Sequence, residues 1–276
     1  MKKRLAAIPK WVPAVLSALL WVGVLILLWE MGARKMDVMK RTPENVLPHL
    51  KNIWNALIST KKVAGGKTAL GIVMSGAGMT LIRALYGFIA GSVLGFGLAL
   101  MMKLSGVVER LIFPYLMLIQ MIPILGLAPI VLSITGDINV SRIVIAGILT
   151  FYPVAANTLA GFNSVEREKY ELMYTYAASK GTIYRKVLIP QAIPYFFTGL
   201  KIAAPMAITA SILVDTLQGD GGLGCILSQS LKHAMSIYVF WIIVFFSAII
   251  GILSSKLMGL LEILVLPNKR RRRARV

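Results

Sequence analysis

Apolar residues run through this chain in blocks of about 20 or more, at 11–29, 71–102, 111–135, 140–162, 193–217 and 237–266. A helix needs roughly that many residues to cross a hydrocarbon layer of ~30 Å. The pattern predicts an all-α integral membrane protein with six transmembrane helices, and an even count puts both ends on one side. Residues 1–70 hold the first helix and a polar segment, 71–266 form the core, and 267–276 are a basic tail. The first block follows Lys2, Lys3, Arg4 and Lys10, as a signal peptide would. It lacks a small-residue cleavage pattern and carries Trp at both ends, which suits an anchored span. Segment 34–67 is polar, and Pro43 and Pro48 bracket the approach to a short amphipathic helix near 52–57, expected on the outer surface.

One polar interruption has an order of its own. Tyr170, Tyr174, Ala177, Gly181, Tyr184 and Leu188 recur every three or four residues, with Lys180, Arg185 and Lys186 off that stripe. That spacing predicts an amphipathic helix able to grip an apolar partner. Pro190 and Pro194 then suit a fresh helix start, since proline is tolerated in a first turn and not in a helix interior. In the second block Gly87, Gly91 and Gly95 make a ridge of small residues along which two helices can approach closely in lipid. No Gly-Lys-Ser/Thr motif follows a strand, so these glycines cradle no phosphate.

Composition narrows the class. Hydrophobic residues are 57% of the chain and charged ones 15%, which leaves no room for a separate soluble domain. The net charge of +19 comes from residues flanking apolar blocks, so it points to a membrane and not to nucleic acid. With both ends inside, 17 basic residues fall inside and 10, Arg142 among them, fall in outer loops, which favours that orientation. The run from Lys269 to Arg273 reads as a stop-transfer and anionic-lipid signal. The single Cys225 excludes an internal disulfide, and His49 and His233 have no ligand-spaced partners, so no metal site is expected.

The island 171–190, ELMYTYAASKGTIYRKVLIP, resembles the EAA loop of bacterial ABC importer permeases. Aligned on Ile189-Pro190, Glu171 takes the family's Glu position, Ala178-Ser179 its Ala-Ser and Arg185-Lys186 its basic pair. Leu172-Met173 replace the family's Ala-Ala. Ala177 replaces its near-obligatory Gly, and a glycine comes four residues later at Gly181, which moves the expected break between two short coupling helices. The resemblance extends over about 71–266, toward the nitrate, taurine and aliphatic sulfonate branch. TLIRALYGF at 80–88 is similar to that branch's Ser-Leu-x-Arg-x-x-x-Gly-Phe, and QMIPILGLAP at 120–129 to its Arg-x-Ile-Pro-x-x-Ala-x-x-Pro, with Gln120 in place of Arg. Gly199-Leu-Lys-Ile-Ala203 resembles Gly-Leu-Arg-x-Ala, and Asp215 stands where the branch has Glu, seven residues before Gly222-Leu-Gly224.

The resemblance implies a non-enzymatic permease subunit in a bacterial inner membrane, multi-pass with both termini cytoplasmic. It would move a small solute delivered by an external binding protein. The chain itself would bind no cofactor, because ATP and Mg would sit on separate ATPase subunits; a second permease chain, first expected as a homodimer, and membrane lipid complete the partners. The expected ATPase-coupling residues are Glu171, Tyr174, Ala177, Ala178, Ser179, Gly181, Arg185 and Pro190 within loop 166–190. The expected substrate pathway, between two permease chains and lined by the third and fifth spans, holds Gln120, Pro123, Pro129, Thr209 and Asp215, with Asp215 near the outer rim and the third span bent at its prolines. Arg83 reads as an interface anchor. The alternative is a gradient-driven secondary transporter, which would want a relay of buried ionisable residues that the spans do not display. An intramembrane enzyme would need a catalytic set, and none is visible.

Overall fold

The computed structural model describes residues 11–217, 221–232 and 236–266. The basic tail and His233 lie outside those residues. Among the described residues eleven α-helices follow one another: α1 (Trp11–Met39), α2 (Leu50–Ile58), α3 (Ala69–Leu104), α4 (Gly106–Met121), α5 (Ile124–Thr135), α6 (Ile138–Asn163), α7 (Arg167–Thr175), α8 (Lys180–Ile183), α9 (Ile189–Leu217), α10 (Leu223–Leu231) and α11 (Ile237–Val265). A two-stranded antiparallel hairpin, β1 (Lys62–Ala64) with β2 (Lys67–Thr68), joins α2 to α3. Among the described residues α1, α3, α6, α9 and α11 are long and apolar enough to cross a membrane, and α4 and α5 pass the same test together as a bent pair, which gives five spans, or six if the pair is one broken span.

The broken span departs from a single helix bent at its prolines. Its halves meet at 110°. The break lies at Ile122-Pro123, both in extended backbone, because Pro123 disfavours the helical region for the residue before it. Pro123 then serves as N-cap of α5, while Pro129 and Pro114 sit inside α5 and α4.

The core is a trio of α3, α6 and α9. The glycine ridge of α3 lies directly on α6: a Cβ built on Gly87 would come within 2.6 Å of the Ile143 carbonyl, on Gly91 within 2.5 Å of the Gly147 carbonyl, and on Gly95 within 2.7 Å of the Phe151 carbonyl. The contacts advance together along both helices, so α3 and α6 run parallel. Also against α6, Gly199 of α9 meets the Pro153 carbonyl and Gly161 meets Ala192, which makes α9 antiparallel. Backbone contact of this kind replaces the hydrophobic effect, which gives no drive between helices in lipid.

This arrangement gives the bundle two ends. At one, the C-termini of α3 and α6 meet α7, α8 and the start of α9 around Met102, Phe162, Ile183 and Leu188. At the other, Val73 and Ala77 of α3, Ile53 of α2, Leu223 of α10 and Val239 and Ile243 of α11 form a second cluster. Trp29 of α1 stacks edge-on against Trp241 of α11 there, ring centroids 4.7 Å apart. His49, expected to be alone, is a clasp: its two ring nitrogens lie 2.8 Å from Glu30 and 2.9 Å from Asp37 of α1, and the Leu50 N–H donates to Glu30.

Candidate functional site

At the loop end the helical stripe is divided and not continuous. α7 stops at Thr175, and the chain reverses through a Schellman turn in which the Ala178 N–H donates to the Met173 carbonyl and the Ala177 N–H to the Tyr174 carbonyl. Ala177 is the residue at positive φ, +48°, and among the described residues it is the one non-glycine that is so. The break therefore falls at Ala177 and does not shift to Gly181, which lies within α8. An L-residue in this region costs about 1–2 kcal/mol that glycine would not. Ser179 caps α8, its hydroxyl accepting from the Thr182 N–H.

Beyond α8, residues Tyr184–Leu188 form a π-helical turn in which the Ile189 N–H donates to the Tyr184 carbonyl. The helix continues through Pro190 into α9, so Pro190 marks this wide turn and does not begin a separate helix. Tyr170, Tyr184 and Leu188 pack inward with Met173 and Ala178. Tyr184 also donates to the Lys103 carbonyl, tying this segment to the end of α3. Tyr174 (65% exposed) and Tyr176 (76%) point away, as do Leu172, Ala177 and Gly181. Glu171 is exposed and, among the described residues, bridges to Arg167 on its own helix, 2.9 Å away; Arg185 and Pro190 are exposed as well. The inner half of the island is thus welded to α3, α6 and α9, and the outer half presents aromatic rings to whatever lies below.

Of the five pathway residues, Gln120, Pro123, Pro129 and Thr209 are exposed on α4, α5 and α9. Thr198, Thr209 and Thr216 share one stripe of α9, and each hydroxyl donates to a carbonyl of its own helix, which leaves acceptor lone pairs outward. Asp215 differs from its expected place at the rim. It is 0% exposed, its Oδ1 lies 2.7 Å from Arg142 Nε and 3.5 Å from Arg83, and Oδ2 accepts from the Thr80 hydroxyl at 2.8 Å. Thr80 in turn accepts from the Leu223 N–H. A Cβ on Gly222 would fall 2.1 Å from Asp215 Oδ2, and one on Gly224 would fall 1.9 Å from the Ile212 carbonyl. Gly222 and Gly224 thus let the start of α10 close over the carboxylate, which joins α3, α6, α9 and α10.

Arg142 was assigned above to an outer loop, yet it is 0% exposed four residues inside α6. The spans therefore do bury ionisable groups. Asp215 is held by Arg142, Arg83 and the Thr80 hydroxyl, whereas a proton or sodium relay needs groups left to exchange. Lys201, likewise, is bound by Glu262 of α11. The sequence signal was available in outline: an Arg and an Asp, each within an apolar run, require a countercharge.

Residues 87–265 match the family described as the binding-protein-dependent transport system inner membrane component. The chain belongs to that family. It is 28% identical over 258 residues to the formylaminopyrimidine transport permease protein ThiX of Halalkalibacterium halodurans, covering 93% of this chain and 97% of the relative. It is 25% identical to the nitrate import permease protein NrtB of Synechocystis, covering 94% and 92%. In fold it is similar to inward-facing MetNI, a methionine ABC transporter, with a TM-score of 0.61 at 18% identity over 71% of this chain and 97% of that one. An amino acid ABC transporter with histidines gives 0.59 at 23% identity, covering 69% and 92%. The chain is therefore the membrane-spanning permease subunit of an ABC importer, whose partners are an ATPase and a substrate-binding protein. ATP hydrolysis belongs to the ATPase, and the secondary-transporter reading falls.

Proposed function

We propose that the loop end of the bundle, residues 166–190, is the surface through which a partner ATPase drives this permease. The supporting observation is the two-sidedness of the segment. Tyr174 and Tyr176 project outward at the Schellman turn, while Tyr184 and Leu188 are built into the ends of α3, α6 and α9. A push on the exposed rings would reach the packed core without an intervening flexible joint. ATP binding would close the paired ATPases, move this segment, and switch the core from inward- to outward-facing; only a difference in ATP affinity between the two states can supply that switch. Both ends of the chain would then lie on the cytoplasmic side of a bacterial inner membrane, and two copies of this chain would enclose the pathway between their α5 and α9 faces.

For the cargo, the favoured class is a neutral nitrogen heterocycle of the kind named for the ThiX relative. Gln120 stands uncharged where the resemblance predicts Arg, and the charge of Lys201 is taken by Glu262. Neither position offers a free cation to an inorganic anion. Thermal shift of the cognate binding protein against aminopyrimidines, nitrate and taurine tests this; a shift with nitrate or taurine alone would refute it. The docking surface is tested by Tyr176→Cys in the assembled complex. Cys225, the one native cysteine, is buried, so a short thiol-to-amine cross-linker should join position 176 to the ATPase. Cross-linking from a control cysteine on the exposed face of α1 instead would refute it.

A further inference from the structure

Between α2 and the outer half of α11 lies a cleft of about 460 Å³ with an entirely apolar lining, walled by Ile53, Trp54 and Leu57 on one side and Ile242, Phe246 and Ile249 on the other. We infer that this cleft is a binding site for one acyl chain of an anionic phospholipid, with its headgroup held by the basic segment beside α2.

The position of the cleft favours a lipid. It follows α11 from residue 242 to 249, a depth of ~10 Å at 1.5 Å per residue. Phe245 and Ile249 are exposed on α11, one of the apolar spans, so the cleft opens on the flank of the bundle and not at its end. Its upper edge sits at the level of an aromatic cluster, where Trp29 and Trp241 stack and Trp54 is exposed, and Trp gathers where the hydrocarbon meets the headgroups. An apolar space that begins at that level and runs inward matches a chain tethered to a headgroup.

Charge selects the headgroup. Segment 34–67 carries eight basic residues and two acidic ones. Lys51 is exposed on α2, one turn from Trp54, and Lys61 and Lys62 are exposed just past its end. α2 thus turns an apolar face into the cleft and keeps its lysine toward the water, the division that amphipathic helices show at a lipid surface. A helix from a second copy would need a longer trough than eight residues of α11 provide, and it would not account for the lysines.

The test uses the assembled transporter in nanodiscs containing a small fraction of phosphatidylglycerol or phosphatidylcholine with a photoreactive acyl chain, and maps labelled peptides by mass spectrometry. Labelling should concentrate on 50–58 and 242–249 and be greater with phosphatidylglycerol, by about fivefold for each basic residue engaged. Ile249→Trp, at an exposed position, should fill the cleft and abolish the label while assembly is retained. Lys51→Glu with Lys62→Glu should keep the label and remove the headgroup preference. Even labelling over α1 and α11, label unchanged in Ile249→Trp, equal labelling by both lipids, or a cross-link from a photoreactive residue at position 54 to a second copy would each overturn the inference.

Discussion

Truncating Asp215 should unfold the α10 end of the bundle before it affects transport. The carboxylate and the Arg142 guanidinium are both 0% exposed and 2.7 Å apart, with Arg83, at 16% side-chain exposure, more loosely attached. Asp215→Ala would remove the carboxylate that lies 2.7 Å from the buried Arg142 guanidinium, and breaking a buried pair this way costs about 3–5 kcal/mol. It also removes the acceptor for Thr80, whose hydroxyl holds the first N–H of α10. Replacing both partners with apolar residues of similar volume is commonly near neutral, so Asp215→Leu with Arg142→Met should recover much of the loss. The assay is the melting temperature of the detergent-solubilised complex, followed by size-exclusion fluorescence. At roughly 2–4 °C per kcal/mol for a chain of about this size, the single variant should melt some ~10 °C below the parent. If Asp215→Ala melts with the parent while uptake collapses, or the double variant is no better than the single one, Asp215 is a substrate contact and not a structural tie.

Three further outcomes follow from the geometry. Ala177→Gly should stabilise the coupling turn by about 1 kcal/mol and slow hydrogen exchange over residues 171–183, whereas Ala177→Val should do the reverse; equal exchange in both would mean the φ of +48° carries no strain. Gly91→Ala forces a Cβ to within 2.5 Å of the Gly147 carbonyl and should lower the melting temperature, while Gly97→Ala, with nothing within 4 Å, should not; identical melting would remove the ridge as a packing contact. Hydrogen bonds to Glu30 and then to Asp37 raise the His49 pKa above the usual ~6.5. The protonated form is the one favoured by folding, so the clasp is fully held below pH ~6.5 and loosens as pH rises through the higher folded value. Exchange in residues 43–58 should therefore quicken from pH 6 to 9 in the parent and be flat, after correction for intrinsic rates, in His49→Gln.

Long-period information was legible in the sequence, and geometry at single residues was not. Six apolar blocks predicted the spans, because span length is fixed by bilayer thickness, and the Gly87, Gly91, Gly95 spacing located a contact that depends on the absence of side chains. The island folds differently from what its periodicity predicts. Its periodicity continues across Ala177, because the spacing of Tyr170, Tyr174 and Gly181 does not depend on whether the backbone between them is helical. Only the φ of Ala177 divides the stripe into an inward and an outward set. Arg142 and Asp215 are 73 positions apart in sequence, and each looked like a span-edge charge when read alone. Pairing them required the parallel and antiparallel order of α3, α6 and α9, which a single sequence does not contain.

The proposed coupling role rests on the exposed tyrosines of the turn at Ala177, which would transmit work from an ATPase. Tyr174 and Tyr176 are 65% and 76% exposed, so Tyr174→Glu with Tyr176→Glu removes the proposed contact without disturbing the core. The measurement is ATPase retention on the purified permease, together with hydrolysis stimulated by loaded binding protein in reconstituted vesicles. The expected variant melts like the parent, loses the ATPase and shows only basal hydrolysis. A variant that keeps the ATPase and parental stimulation would contradict it.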